Sequence, residues 1–412
     1  MTLLQADSSM KSKPEYFLPG SAIFWRATLA LFIASFLTFA NVYITQPLLP
    51  LLVEEFKVSP AASSLTISLT IFALGLTMLI LGPVSDALGR RPVMLWTMAL
   101  AAVPALLAPL VTSFNMLLLI RIAQGIFLAG LPSVAMAYLG EEFSPRALGL
   151  AVGLYISGNS IGGMSGRIIS GMMADAYSWR MSFVVMGAIG VLGVIFFYYL
   201  LPPSKHFSPR PAGLKKSAAD LLGHLKNPAL LKAYGIAFVI MFSFVGIYNY
   251  ITFRLSGPLY NLSPTALGWI FLTYLSGTVS STVAGRFIDV VGNRAAVILG
   301  VSIALAGLLI LAMPSLWVII GGLLVFSFGF FATHAAASAW VNAKAVEARA
   351  GAMGLYLVFY YTGGSFGSTG LGFLWHYRGW PGVTAGVAAV LAVGLFLGFC
   401  LRENNNKHTN GG

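Results

Sequence analysis

Gly82-Pro83-Val84-Ser85-Asp86-Ala87-Leu88-Gly89-Arg90-Arg91 and Gly285-Arg286-Phe287-Ile288-Asp289-Val290-Val291-Gly292-Asn293-Arg294 carry Gly, Asp, Gly and Arg at one shared offset of 203 residues. A second pair of segments matches at an offset of 201: Gly153-Leu154-Tyr155, Gly162-Gly163, Gly166, Gly171 and Trp179 return as Gly354-Leu355-Tyr356, Gly363-Gly364, Gly367, Gly372 and Trp380. Two loci in the same order with nearly equal offsets mark an internal duplication.

What is duplicated follows from charge. Only 9% of the 412 residues are charged and 58% are hydrophobic, against roughly a quarter charged in a soluble chain. Such a sequence lacks the polar surface to cover a water-soluble body. In hydrocarbon each backbone polar group must be satisfied internally, which leaves helices or closed barrels. Strand-like alternation is missing and the apolar runs are long, so helices are expected. Eleven windows contain no Asp, Glu, Lys or Arg, from 27–53 to 379–401. One of them, 295–343, holds two spans broken at Met313-Pro314-Ser315. A span needs about 20 apolar residues, so the count is twelve: an all-α membrane protein of two pseudo-symmetric six-helix bundles, 22–201 and 233–401.

Orientation follows from the basic residues. With the N-terminus inside, 18 of the 24 Lys and Arg lie in cytoplasmic segments or at their edges, and the outer side keeps Lys57, Arg180, Arg254 and Arg378. This positive-inside bias puts both termini in the cytoplasm and accounts for the net charge of +12 without a nucleic-acid partner. Residues 1–21 are a polar cytoplasmic tail without a small-residue cleavage site, so an uncleaved first span is expected. The stretch 202–232 is a basic cytoplasmic linker. Within it Asn227-Pro228 reads as an N-cap and first helical residue. Residues 402–412 form a polar, disordered tail. The single Cys400 excludes an internal disulfide and a thiolate metal cluster.

The loop after the second span resembles the Gly-x-x-x-Asp-x-x-Gly-Arg-Arg signature of the major facilitator superfamily. The resemblance implies that Asp86 faces the positive end of the eleventh span near Ala350-Gly351, and that Arg90 or Arg91 reaches Glu141 or Glu142. Gly82 and Gly89 would permit the packing and the turn, and Asp289 and Arg294 would repeat the device. This is a conformational switch; the alternative is a plain turn with topogenic arginines. Arg121-Ile122-Ala123-Gln124-Gly125 is similar to the superfamily's second signature, which implies proton coupling or bracing of the first span. The alternative for Arg121 is snorkelling from a span that starts near Met116. Asn159 stands where exporters of this superfamily carry a proline, which weakens the inference of antiport. Tyr155, Asn159, Gly162 and Gly166 make one helical stripe, repeated as Tyr356, Tyr360, Gly363 and Gly367; close packing is the competing reading for the glycines. The run 153–171, Gln46-Pro47 and Ala335 to Trp340 resemble the YnfM-like bacterial transporters, often called arabinose-efflux-type permeases.

All twelve acidic residues lie in loops or at span edges, so the usual intramembrane proton carrier is not evident. The interior ionisable groups are Arg121, Arg167 near the outer end of the fifth span, and His334 in the tenth. His334 titrates in the physiological range if unperturbed; simple hydrogen bonding within the bundle is the competing role. Asn41, Arg121, Gln124, Tyr155, Asn159, Tyr248, Asn249, His334, Tyr356 and Tyr360 are the candidate solute and proton pathway, whereas Tyr43 and Tyr250 read as interfacial anchors. No nucleotide-binding loop, metal cluster or hydrolytic constellation is found, so no cofactor and no enzyme activity is expected. The resemblance implies a monomeric secondary transporter in a bacterial cytoplasmic (inner) membrane, in contact with lipid, exporting a small neutral, polar or anionic organic solute in a proton-linked antiport. Uptake by the same fold and a transporter-like sensor without turnover are the alternatives.

Overall fold

The structure, a computed structural model, describes residues 16–209 and 213–402. The tail expected over 403–412 and the first fifteen residues of the N-terminal tail lie outside them. α1 (Ala22–Val42) breaks at a 3-10 turn (Gln46–Leu48) and resumes as α2 (Leu49–Phe56) to complete one crossing. Then follow α3 (Pro60–Leu88), α4 (Arg90–Leu107), the nearly continuous pair α5 (Phe114–Leu128) and α6 (Gly130–Glu142), α7 (Pro145–Ala176) and α8 (Trp179–Leu200). The linker contains α9 (Leu214–Leu225), a helix that the sequence reading does not anticipate. The second half comprises α10 (Pro228–Ser256), α11 (Pro264–Ile270) running through a 3-10 turn (Phe271–Tyr274) into α12 (Leu275–Val291), α13 (Asn293–Ile310), α14 (Leu316–Lys344) and α15 (Arg349–Phe399).

These elements make twelve crossings, six in each half. α15 supplies two of them because Gly379, at φ 57° and ψ −142°, turns the chain within it. Only glycine adopts such angles without strain, and Pro381 prevents the incoming helix from continuing straight. Helix starts are chemically marked: the side chains of Ser59, Ser113, Ser178, Asn227 and Ser263 each accept a bond from a backbone N–H in the first turn. The two gating-type turns match: Gly89 has φ 101° and Gly292 has φ 86°. The outer surface is apolar, with Trp96, Phe196, Phe373 and Phe396 all more than half exposed, as a hydrocarbon solvent demands.

The glycine stripes are packing devices in both halves. A Cβ on Gly162 would lie 2.2 Å from the Phe36 carbonyl oxygen and one on Gly363 2.1 Å from that of Phe238. Gly166 meets Ala40 and Gly367 meets Phe242 in the same way. α7 therefore lies backbone-to-backbone on α1, and α15 on α10.

Between the halves, α3 and α15 touch along their length, through Ser64 and Ser368 at one end, Gly75 and Tyr361 midway, and Leu79 and Gly354 toward the other. On the opposite side α7 packs on α11 and the turn after it but not extensively on α12. The end bearing the linker is termed here the linker end; the other is the distal end. At the distal end the halves are closed on each other.

Candidate functional site

At the linker end the turn after α3 forms an ion-pair cluster. Arg90 bonds Asp86 at 2.6 Å, Glu141 at 2.8 Å and the Ser85 hydroxyl at 2.6 Å. Two neighbours that the sequence reading grouped with it go elsewhere. Arg91 donates to the carbonyls of Leu201 (2.9 Å) and Tyr198 (2.7 Å), the unpaired end of α8. Glu142, fully buried, takes the His206 backbone N–H at 3.0 Å and its ring at 3.2 Å. Asp86 is paired with Arg90, whereas the start of α15 is met by His224 of α9, whose ring is 3.2 Å from the Ala348 carbonyl. In the second copy Asp289 and Arg294 are both exposed.

Inside the first half Arg121 is fully buried. It donates to the carbonyls of Asn41 (3.1 Å), Val42 (2.7 Å) and Thr66 (3.0 Å), and to the Gln124 side chain. Gln124 in turn donates to the Asn41 side chain at 3.1 Å. Asn41 and Val42 are the last residues of α1, whose carbonyls have no intrahelical partner where the helix breaks. Arg121 fills that gap, and the negative end of the helix favours its charge. The guanidinium is fully buried among these partners rather than turned to the outer surface. Asn159 accepts a hydrogen bond from Ser35 of α1, and Ser35 also donates to the Tyr155 carbonyl at 2.9 Å. This stripe is spent on helix packing.

The second half holds a cluster of aromatic rings. Phe244 stacks on Phe330 at 3.7 Å between centroids and lies 4.8 Å from Tyr274 and 5.7 Å from Phe331. Phe330 continues to His334 (6.3 Å), which lies 4.8 Å from Tyr360. The Tyr356 hydroxyl is 2.9 Å from His334 Nδ1. Tyr248 is turned inward, its hydroxyl shared with Thr273 (2.6 Å) and Ser327 (2.7 Å).

A chain of hydrogen bonds closes the distal end across both halves. Ser64 and Ser368 each donate to the other's carbonyl, at 2.8 and 3.1 Å. Asn249 donates to the Ser368 hydroxyl at 2.6 Å, Gln46 to Asn249 at 2.7 Å, and Arg167 to Gln46 at 2.6 Å. Arg167 ends the chain on the Tyr274 hydroxyl of the second half, 3.3 Å away.

A family model described as Major Facilitator Superfamily matches this chain twice, over residues 31–260 and 257–411. The chain belongs to that superfamily. Among its relatives, the MFS-type transporter YybF of Bacillus subtilis is 42% identical over 383 residues, covering 93% of this chain and 95% of the relative. The inner membrane transport protein YnfM of Escherichia coli is 40% identical, covering 95% and 94%. Solved structures share the fold at low identity. The nucleoside transporter NupG superposes with a TM-score of 0.75 at 17% identity, covering 92% of this chain and all of its own. A bacterial homologue of the human lysosomal transporter Spinster, inward-facing and unoccupied, gives 0.71 at 16%, covering 92% and 96%. The protein is thus a multi-pass membrane transporter of the major facilitator fold.

Within that superfamily fold the predicted residues other than Arg91, Glu142, Asp289 and Arg294 fall into four groups. Asp86, Arg90 and Glu141 meet between Gly82 and Gly89. Asn41, Arg121 and Gln124 form one knot beside the Tyr155 and Asn159 stripe. His334, Tyr356 and Tyr360 share an aromatic cluster, with Tyr248 behind it. Asn249 alone sits on the interface between halves. Tyr43 and Tyr250 are not interfacial anchors: both are buried, Tyr43 under Arg167 with the guanidinium 4.2 Å from its ring centroid, Tyr250 with its hydroxyl on the Ser368 carbonyl at 2.9 Å. The sequence reading left Gln46, Arg167, Tyr274 and Ser368, which the hydrogen-bonded chain brings together, off its list of candidate pathway residues. The available signal was Arg167 itself, a charge within an apolar run.

Proposed function

We propose that this transporter is a proton-linked exporter of a small neutral or anionic organic solute, working by alternating access in a bacterial inner membrane with the linker end in the cytoplasm. The observation that carries this reading is the uneven packing of the halves. They are joined at the distal end through hydroxyls, amides and Arg167, whereas α7 makes no extensive contact with α12 toward the linker end. That is one of the two states which a rocking pair of bundles must visit. Basic residues concentrated at the linker end support the orientation. The solute surface is the aromatic face formed by Phe244, Tyr274, Phe330, Phe331 and Tyr360. Among the described residues no carboxylate lines it, which disfavours cations. His334, bonded to Tyr356, is the histidine beside this face and the proposed proton carrier. Asp86, Arg90 and Glu141 serve as the switch that latches the linker end between states.

The test is a solute screen on everted membrane vesicles with and without an imposed proton gradient. Export predicts gradient-dependent accumulation of at least one labelled solute. Accumulation that ignores the gradient would remove proton coupling, and binding without counterflow would identify a sensor.

A further inference from the structure

The protein buries two guanidinium groups, and they are compensated differently. Arg121 donates to three backbone carbonyls, two of them at the negative end of α1. Arg167, only 1% exposed, has a single backbone acceptor, the Gly163 carbonyl at 2.5 Å. Its other acceptors, Gln46 and Tyr274, are neutral. The rings of Tyr43, Phe271 and Tyr274 cover its faces at 4.2, 4.6 and 4.7 Å. No carboxylate lies within ion-pair distance of it among the described residues. A cation buried in a membrane protein without a counter-charge is costly to maintain and marks a pathway by default. Three of the five guanidinium donors are committed, and the longest bond, to Tyr274, is the one that crosses between the halves.

We propose that Arg167 is the recognition site for the anionic group of the solute, a small organic carboxylate with a planar apolar body. This rests on the transporter reading given above. A solute carboxylate that reaches it displaces the longest of these bonds, to Tyr274, and accepts from the freed Nη2 together with the uncommitted N–H of Nη1. A carboxylate is the acceptor whose geometry matches that fork. Its body would lie along Tyr274, Phe244 and Phe331, rings of the aromatic face proposed above for the solute. The same guanidinium donates to Gln46 in the chain that closes the distal end. The solute's charge thus bears on the group that helps hold that end shut.

The test measures binding rather than flux, so it stands apart from the transport assay. The thermal unfolding midpoint of the purified full-length protein in detergent is titrated with benzoate and phenylacetate, each against its neutral amide, benzamide and phenylacetamide. Acids should raise the wild-type midpoint at concentrations where the amides do not. Arg167→Gln should weaken the response to acids by about ten-fold or more, the size of one charge-assisted bond. Equal responses to acid and amide, no response to either acid, or full acid affinity in Arg167→Gln would each overturn the proposal. The acid-versus-amide comparison on the wild type decides the matter even if that variant does not fold. Sodium chloride at matched ionic strength giving the whole effect would assign the counter-charge to an inorganic ion and also overturn it. A flux failure alongside acid-specific binding would sink the transporter reading and leave the site.

Discussion

A single side chain does the work of a helix cap inside the first half. Arg121 supplies donors to carbonyls that the break after Val42 leaves open. Replacing it with Gln removes the charge and at least two of three backbone partners. The expected loss is about 3 kcal/mol or more, since each stranded buried carbonyl costs about 1–3 kcal/mol, read as a lower unfolding midpoint in detergent. Arg121→Lys should rescue little, because a compact ammonium cannot fork to carbonyls on α1 and α3 together. A wild-type midpoint in Arg121→Gln would refute the bracing role. His334 makes a different claim. If it carries the proton, His334→Ala flattens the pH profile of transport in proteoliposomes, and a profile identical to wild type removes it from the pathway. Neither residue has a counterpart in the other half, so the duplication is broken at the two places where chemistry is expected.

At the level of elements, the duplicated parts are those whose physics admits few residue types. Gly363 and Phe238 approach so closely that even a methyl group must push α15 off α10. Gly363→Ala should cost about 1–3 kcal/mol, measured by thermal unfolding, whereas Gly153→Ala, with nothing near its Cβ, should stay within about 0.5 kcal/mol. Equal effects would mean that the stripe is not the contact surface described. These constraints explain what was legible. Glycine against a carbonyl, glycine at positive φ after α3 and α12, and serine or asparagine at helix starts are local requirements, and local requirements leave local signatures. Arg167 shows the opposite case. Gln46 and Tyr274 lie 121 and 107 residues from it, so no window of sequence displays the site. Tyr43 and Tyr250 were misread for a related reason: near a span end, an aromatic facing lipid headgroups and one facing another helix look alike in one dimension. The linker helix α9, short and charged, carried no apolar run to announce it.

At the scale of the whole molecule, the proposed transport requires two bodies to rock about an interface whose distal end is shut in this structure. Ser64 and Ser368 exchange bonds across it. Cysteines at both positions, in a Cys400→Ser background, should form a disulfide on oxidation. Transport should stop and return with reductant. Cross-linked protein that still transports at the uncross-linked rate would show that this contact need not open. The linker sets a further bound on such motion. Its start is fastened to the first half through Glu142 and His206, and its helix to the second through His224 and Ala348. Parting the halves at the linker end therefore pulls on a histidine at each mooring, His206 on Glu142 and His224 on Ala348, so the linker resists that motion through bonds that can break and re-form.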